Sequence, residues 1–295
     1  MKIAFDPDVI RQKQAAKGEY SIKDMVYKIA DMGYKYIEQS PHPQILPFYK
    51  YPKANKSIIK EYKDALKDTG LEISSLIAMY YWAGPDEERR KAAMRKWKRA
   101  IEIAVELNVD VINAELTCTH PNSPVVSEEK LYKSIYELLP ILEKEGIRIE
   151  LQAHPYDFVE TNNETVDIVK SFDSDYVKYV YSVAHTFFYD DGKGDVESML
   201  DYAGDSLSHV LLGDTYNHTI HTHYIQNPPD AESTVHQHLG LGEGEVDFDA
   251  LFSKLREMKF AENNDNIITT CLFGFPEKLD QQGPGTLERI KKELL

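Results

Sequence analysis

Eight times along this chain a short apolar run is followed by a stretch with helical spacing, and few folds accommodate that count. The strand-like runs cover residues 2–5, 36–38, 71–80, 109–115, 147–154, 177–184, 207–212 and 267–273. Between them the spacing predicts helices over about 22–32, 58–67, 85–107, 128–144, 164–171, 195–203 and 248–258, and a last one from 286. The punctuation supports these limits. Ser21 stands where an N-cap belongs, with Asp24 in the first turn, and Gly33 and Gly70 follow the ends of the first two helices. Pro85 with Asp86, Glu87 and Glu88 opens the longest helix.

The strands are apolar without strict alternation, the pattern of a parallel sheet covered on both faces. In 295 residues with no linker-like stretch, the reading is a single α/β domain spanning residues 1–295, a (β/α)8 TIM barrel. A long polar insertion, 214–244, extends the loop after strand seven. A doubly wound sheet is the alternative. No Gly-rich phosphate loop and no nucleophile elbow is present.

Charge narrows the partners. The formal net charge of −15 predicts an acidic surface, which disfavours nucleic acid; the Lys/Arg-rich run 89–99 falls on a helix and reads as its solvated face. Two cysteines, Cys118 and Cys271, are too few for a disulfide framework. The first residues run straight into a strand, so no secretion signal is expected, and no run approaches the ~18 apolar residues of a membrane span. The expectation is a cytoplasmic protein acting on a small molecule, without nucleic acid or membrane, and compatible with a homodimer.

A barrel assembles its site at the C-terminal ends of the strands. The polar groups there are Asp6, Glu38, Glu115, Glu150, His154, His185, Asp214 and Cys271. The insertion adds His218, His221, His223, His236 and His238. Taken singly, a strand-end Glu reads as a solvated or capping group and a loop His as surface. Their convergence at one mouth suits proton transfer or a divalent metal. The strand over 147–154 carries Glu150, Gln152 and His154 at one parity and ends where Pro155 can no longer donate to a ladder. The roles expected are catalytic for Glu150, Glu115 and His185, and substrate-binding for His154, Asp214, His236, His238 and Glu38.

The order Glu150…His154-Pro155, then His185, then His209…Asp214, then Gly240-Leu241-Gly242-Glu243-Gly244-Glu245 resembles the xylose-isomerase-like barrels. Further segments, Trp97-Lys98-Arg99-Ala100-Ile101 and Asn227-Pro228-Pro229…His236-Gln237-His238, are similar to the H-protein branch found in bacterial myo-inositol catabolism. The resemblance implies a sugar or polyol isomerase or epimerase, or a related lyase, and one divalent ion (Mn, Mg or Zn) held by Glu, Asp, His and Glu on strands five to eight. Only Glu150 matches; the other positions read Ser182, Leu211 and Cys271. The metal set left to this chain is Glu150, His185 and Cys271. A barrel that has lost catalysis and binds a small ligand or partner, and an endonuclease IV-like activity, are the alternatives.

Overall fold

A computed structural model describes the chain except residues 118–123, 156, 189–194, 217–218, 223–230, 235–236 and 274–275, with backbone alone at 124, 187–188, 219–222 and 231–234. The elements follow in the order β1 (Lys2–Phe5), α1 (Asp8–Ala16), α2 (Ile22–Asp31), β2 (Tyr36–Gln39), α3 (Lys56–Thr69), β3 (Glu72–Ala78), α4 (Glu87–Leu107), β4 (Val111–Glu115), α5 (Pro124–Glu145) and β5 (Arg148–Gln152). Then come α6 (Asn162–Ser171), β6 (Val177–Ser182), α7 (Val183–Phe188), α8 (Val196–Ala203), β7 (Leu207–Leu212), β8 (Thr219–Thr222), β9 (Ala231–Thr234), α9 (Phe248–Glu257), β10 (Ile267–Thr270) and α10 (Leu279–Leu294). Strands β1 to β7 and β10 close a barrel in the order β1-β10-β7-β6-β5-β4-β3-β2, all parallel. The (β/α)8 reading is borne out and the doubly wound sheet is excluded. Strands β8 and β9 form a separate antiparallel pair inside the insertion after β7.

Local chemistry sets the helix limits. The Ser21 hydroxyl accepts the Asp24 amide at 3.1 Å, Asp86 caps α4 through the Arg89 amide, and α3 ends on Gly70 at φ 73°, a left-handed turn that a side chain would strain. The expected stripe of α4, Ala93, Trp97, Ala100, Ile101 and Ala104, is buried, and Trp97 stacks on Trp82 at 4.3 Å between ring centroids. Two short helices escaped the sequence reading. α1 buries only Val9 and Ile10 and otherwise carries polar residues and two alanines, and α7 follows β6 without a connecting loop. The last helix begins at Leu279 rather than near 286 and carries Pro284 inside it. No helix among the described residues is long and apolar enough to cross a membrane.

Midway along the barrel axis, above an apolar cluster of Ala4, Val111 and Ile267, the filling is polar. Glu38, Asn113, Glu150, His209 and Thr269 are fully buried. His209 Nδ1 meets Glu150 Oε2 at 2.8 Å, its Nε2 meets Thr269 Oγ1 at 2.8 Å, and Glu38 Oε2 lies 3.5 Å from the same nitrogen. Asn113 donates to Glu38 Oε1 at 2.9 Å, and Ser208 to Glu150 Oε1 at 2.7 Å. Arg148 reaches Glu150 Oε1 from below at 2.6 and 2.8 Å and ties itself to the Asp265 carbonyl at 3.1 Å. Nearly every buried polar atom here has a partner, as desolvation requires.

Candidate active site

A cavity of about 300 Å³ opens above this network at the C-terminal ends of the strands. Its wall is carboxyl and imidazole on one side, with Glu115 ending β4, Gln152 ending β5, then His154, His185 and His238. Facing these are Asp6 after β1, Leu211 of β7 and Cys271 and Phe273 after β10, with Phe48 at the edge. Clefts of about 490 and 520 Å³ lie elsewhere: one at the N-terminal strand ends, around Lys2, Glu72 and Asp110, the other between α6 and α8. Neither gathers imidazoles, and the smaller cavity holds the chemistry.

The imidazoles are ordered by what their other nitrogens touch. His185 donates from Nδ1 to the Ala153 carbonyl at 3.0 Å, so its Nε2 accepts; it lies 3.1 Å from His238 Nε2, which must then carry the proton. His238 in turn stacks on Phe273 at 4.0 Å. His154 packs its ring edge against His185 at 4.6 Å and donates from Nδ1 to the Pro155 carbonyl at 2.7 Å. Its Nε2 faces Glu115 Oε1 at 3.7 Å. Burial pushes the Glu115 carboxyl up to about 8, and burial holds His154 down at about 4 against the opposing effects of the Pro155 carbonyl and the charge of Glu160.

Across the cavity, Asp6 accepts the Asp8 amide at 2.8 Å and the Cys271 thiol at 3.3 Å. Burial, then the charges of Asp8 and Glu38, raise it to about 7, and burial with Asp6 nearby raises the Cys271 thiol well above its ordinary value. Gln152 donates to Asn113 at 3.0 Å, while its own Oε1, buried at the cavity wall, accepts no hydrogen bond from the described residues. Asp157 returns toward the mouth through a turn in which its amide donates to the His154 carbonyl at 3.2 Å. Glu115, His154 and Asp157 bring one ligand atom each to within 4.8 Å of one another.

Of the residues expected from sequence, the cavity gathers Glu115, His154, His185, His238 and Cys271. Glu150 does not line the cavity: it lies one inward layer below the mouth, where Arg148, His209 and Ser208 outweigh the effect of burial and hold its carboxyl at about 2. Glu38 sits in the same interior layer and does not line the cavity. Asp214 is fully buried and accepts the amides of Thr215, Gly242, Gly244 and Val246, which fastens the insertion back onto β7. A Cβ on Gly244 would stand 2.4 Å from Asp214 Oδ1, so the glycine is what permits this close approach. His236, His218 and His223 lie outside the described residues, as does the side chain of His221. The metal set Glu150, His185 and Cys271 is not assembled: among the described residues the converging ligand group is Glu115, His154 and Asp157.

Sequence reasoning passed over Gln152 as a mere parity mate of Glu150, and missed Asp157, Phe48 and Phe273. The signal for Gln152 was present: it shares the parity of Glu150 and stands one inward position nearer the break at Pro155, hence nearer the mouth.

Residues 26–290 match the family profile of the xylose isomerase-like TIM barrel, and the chain belongs to that family. Curated protein sequences give no match. Solved structures give the fold. The 3-keto-D-glucoside 4-epimerase YcjR from E. coli is 18% identical with a TM-score of 0.71, covering 99% of each chain. The D-psicose 3-epimerase from Clostridium cellulolyticum H10, solved with D-tagatose, is 17% identical with a TM-score of 0.74, covering 100% of this chain and 99% of its own. The IOLI protein, solved with a zinc atom, is 20% identical with a TM-score of 0.69, covering 99% of this chain and 96% of its own.

The ion that the family resemblance implies does not fit this donor set. The cavity-facing residue on β5 is the amide Gln152, β6 ends in Ser182, β7 offers Leu211, and the position after β10 is Cys271, bonded to Asp6. A leucine supplies no donor, and an amide, a hydroxyl and a protonated thiol are poor substitutes for carboxylates and imidazole.

Proposed function

We propose that the chain is an isomerase or epimerase of a small keto-sugar or keto-polyol, working by proton transfer next to a carbonyl. The carrying observation is Glu115, a buried carboxyl on the wall of a small cavity that His154 and His185 also line, 3.7 Å from His154 Nε2. Glu115 takes the proton from the carbon beside the carbonyl to give an enediolate, which is reprotonated at the neighbouring carbon in an isomerase or on the opposite face in an epimerase, and the His185–His238 pair, whose shared proton lies on His238 Nε2, lends that proton to the oxygen on which charge develops. Gln152 Oε1 accepts a substrate hydroxyl. The cavity stands at the lower end of the roughly 300–1,000 Å³ typical of ligand sites, which suits a monosaccharide or an inositol derivative. The two epimerase structures that share the fold support this chemistry, and the IOLI likeness, with the resemblance in sequence, favours a place in cytoplasmic inositol or carbohydrate breakdown.

The test is isotope exchange. Incubated with keto-inositols and ketohexoses in deuterated water, the protein is expected to wash deuterium into one carbon-bound position of its substrate, seen by NMR, and Glu115→Gln is expected to stop it. A second reading is favoured by Ser182, Leu211 and Cys271 at three of the family's ligand positions: a barrel that binds a sugar without converting it. Thermal stabilisation by a sugar that never exchanges would establish that reading.

A further inference from the structure

Resting on the proton-transfer reading of Glu115, we propose that the reaction is an epimerisation served by two acids, and that Asp6 at the end of β1 gives and takes the proton on the face of the substrate opposite Glu115. A proton returned to the face it left only regenerates the substrate. Inversion needs an acid on the far side of the reacting carbon.

Three carboxyl groups line the cavity: Asp6, Asp8 and Glu115. Asp8 is engaged, since Arg11 Nε donates to its Oδ1 at 2.8 Å. Asp6 and Glu115 remain, and the barrel holds them apart. In the closed order of strands, β1 and β4 are separated by β2 and β3 one way round and by β5, β6, β7 and β10 the other, so the two acids stand on facing arcs of one rim. Pro7 ends β1 directly after Asp6 and turns the chain into α1, whose first amide, that of Asp8, donates to Asp6 Oδ1 at 2.8 Å. The Cys271 thiol donates to Oδ2 at 3.3 Å. These bonds fix the carboxyl without neutralising it. Among the described residues no Lys, Arg or His pairs with Asp6, whereas Arg148 and His209 both pair with Glu150 in the layer below. Burial, helped at Asp6 by the charges of Asp8 and Glu38, brings Asp6 to about 7 and Glu115 to about 8, so each can carry or release a proton near neutral pH. Neither β1 nor β4 bears a ligand of the ion that the family resemblance implies.

The protons and electrons balance. The Glu115 carboxylate takes the hydrogen beside the carbonyl, the C–H pair becomes the carbon–carbon double bond of the enediolate, and the carbonyl pair moves onto its oxygen, which the His185–His238 pair meets. The O–H of Asp6 then supplies a proton to the other face of the same carbon and the carbonyl re-forms. The departing epimer leaves Glu115 protonated and Asp6 ionised. That form carries the reverse reaction, and proton exchange with water resets it.

The experiment incubates the full-length protein with keto-inositols and ketohexoses in deuterated water. NMR reads both the label and the configuration at the exchanged carbon, and oxidation by hexacyanoferrate(III) reads the enediolate whether or not Glu115 surrenders its proton to solvent. At early times in wild type, the epimer formed is expected to carry solvent deuterium while the recovered substrate keeps its protium. Asp6→Asn, started from the epimer whose hydrogen faces Glu115, is expected to form enediolate within about tenfold of wild type while inversion falls by roughly 10²–10⁴-fold. Started from the opposite epimer, it is expected to form none. Asp6→Ser, which keeps an acceptor for the Asp8 amide, takes its place should Asp6→Asn fail to fold by circular dichroism. Exchange without inversion in wild type, transfer of the substrate's own hydrogen to the product, inversion near the wild-type rate in a folded variant, or equal loss of enediolate and inversion from the first epimer overturns the assignment of Asp6 and leaves the proton-transfer reading standing. Wild type that neither exchanges nor inverts any of these compounds overturns that reading, and the assignment of Asp6 with it.

Discussion

Glu150 and Glu115 lie on adjacent strands, one inward-facing layer apart, since Glu150 pairs in register with Asn113 and Gln152 with Glu115. Both are buried acids, yet the barrel treats them in opposite ways. Glu150 is met by a guanidinium, an imidazole and a hydroxyl, and its carboxyl is held at about 2. Glu115 meets an uncharged imidazole at 3.7 Å and rises to about 8. Burial is common to the two and marks neither. The number of donors around the carboxylate separates a structural charge from a reactive one, and it divides the barrel into a satisfied interior and an expectant mouth.

The sharpest way to break this comparison is to neutralise each acid. Glu115→Gln is expected to lower turnover by about 10²–10⁴-fold, the usual reach of a general acid or base, while the denaturation midpoint stays level or rises because a carboxyl that burial disfavours is replaced by a neutral amide. A variant that loses stability and keeps activity would merge the two regions into one.

The reverse signature is expected from the layer below. His209→Ala leaves Glu150 and Glu38 facing each other across a buried gap, and stranding one side of a buried ion pair costs about 3–5 kcal/mol. Urea unfolding should register most of that as a lower midpoint. Any activity left at permissive temperature should show an unaltered KM, since His209 does not line the cavity.

Acidity separates the regions more gently. Glu150 is depressed, so its contribution to stability is present above the ordinary carboxylate value of ~4.3 and is lost as pH falls toward 2. Burial would lower His209, but Glu38 and Glu150 together raise it. Its contribution is therefore complete below ~6.5 and is lost as pH climbs through the raised folded value. The stability difference between wild type and His209→Asn is expected to be greatest between about pH 4.5 and 6.5 and to shrink on both sides, measured by denaturant midpoints across pH. A difference that grows steadily toward pH 9 would show that the pair is not charged as drawn.

How much of this could be read from sequence follows the same division. The eight strands were legible because burial on both faces leaves apolar runs, and Ser21, Gly70 and Asp86 announce helix ends through caps whose chemistry is local. Glu115, His154 and His185 were legible as strand-end polar residues. Depth was not. Glu150, Gln152 and His154 share parity, and only the shear of the closed barrel decides which of them reaches the mouth. Asp214 looked like a site residue because its partners, the amides of Gly242, Gly244 and Val246, lie some thirty positions away and carry no side-chain signature. Cys271 was likewise given to a metal because its bond to Asp6 joins the two ends of the chain.

Gln152 is where the two regions touch, and the smallest perturbation tests their separation most finely. Its amide nitrogen binds the interior network through Asn113, and its oxygen, buried at the cavity wall, has no partner among the described residues. Gln152→Ala removes one hydrogen bond from each side. The interior should lose about 0.5–1.5 kcal/mol of stability, and the mouth a similar amount of substrate binding, seen as a several-fold higher KM at nearly constant turnover. Gln152→Glu is the complementary probe. A carboxylate can no longer donate to Asn113, so the interior bond is lost, while the acceptor presented to the cavity is kept or strengthened. If the regions are separable, Gln152→Glu restores the KM that Gln152→Ala raised and leaves the stability loss in place. A KM that follows stability in both variants would mean that the interior network positions the cavity wall.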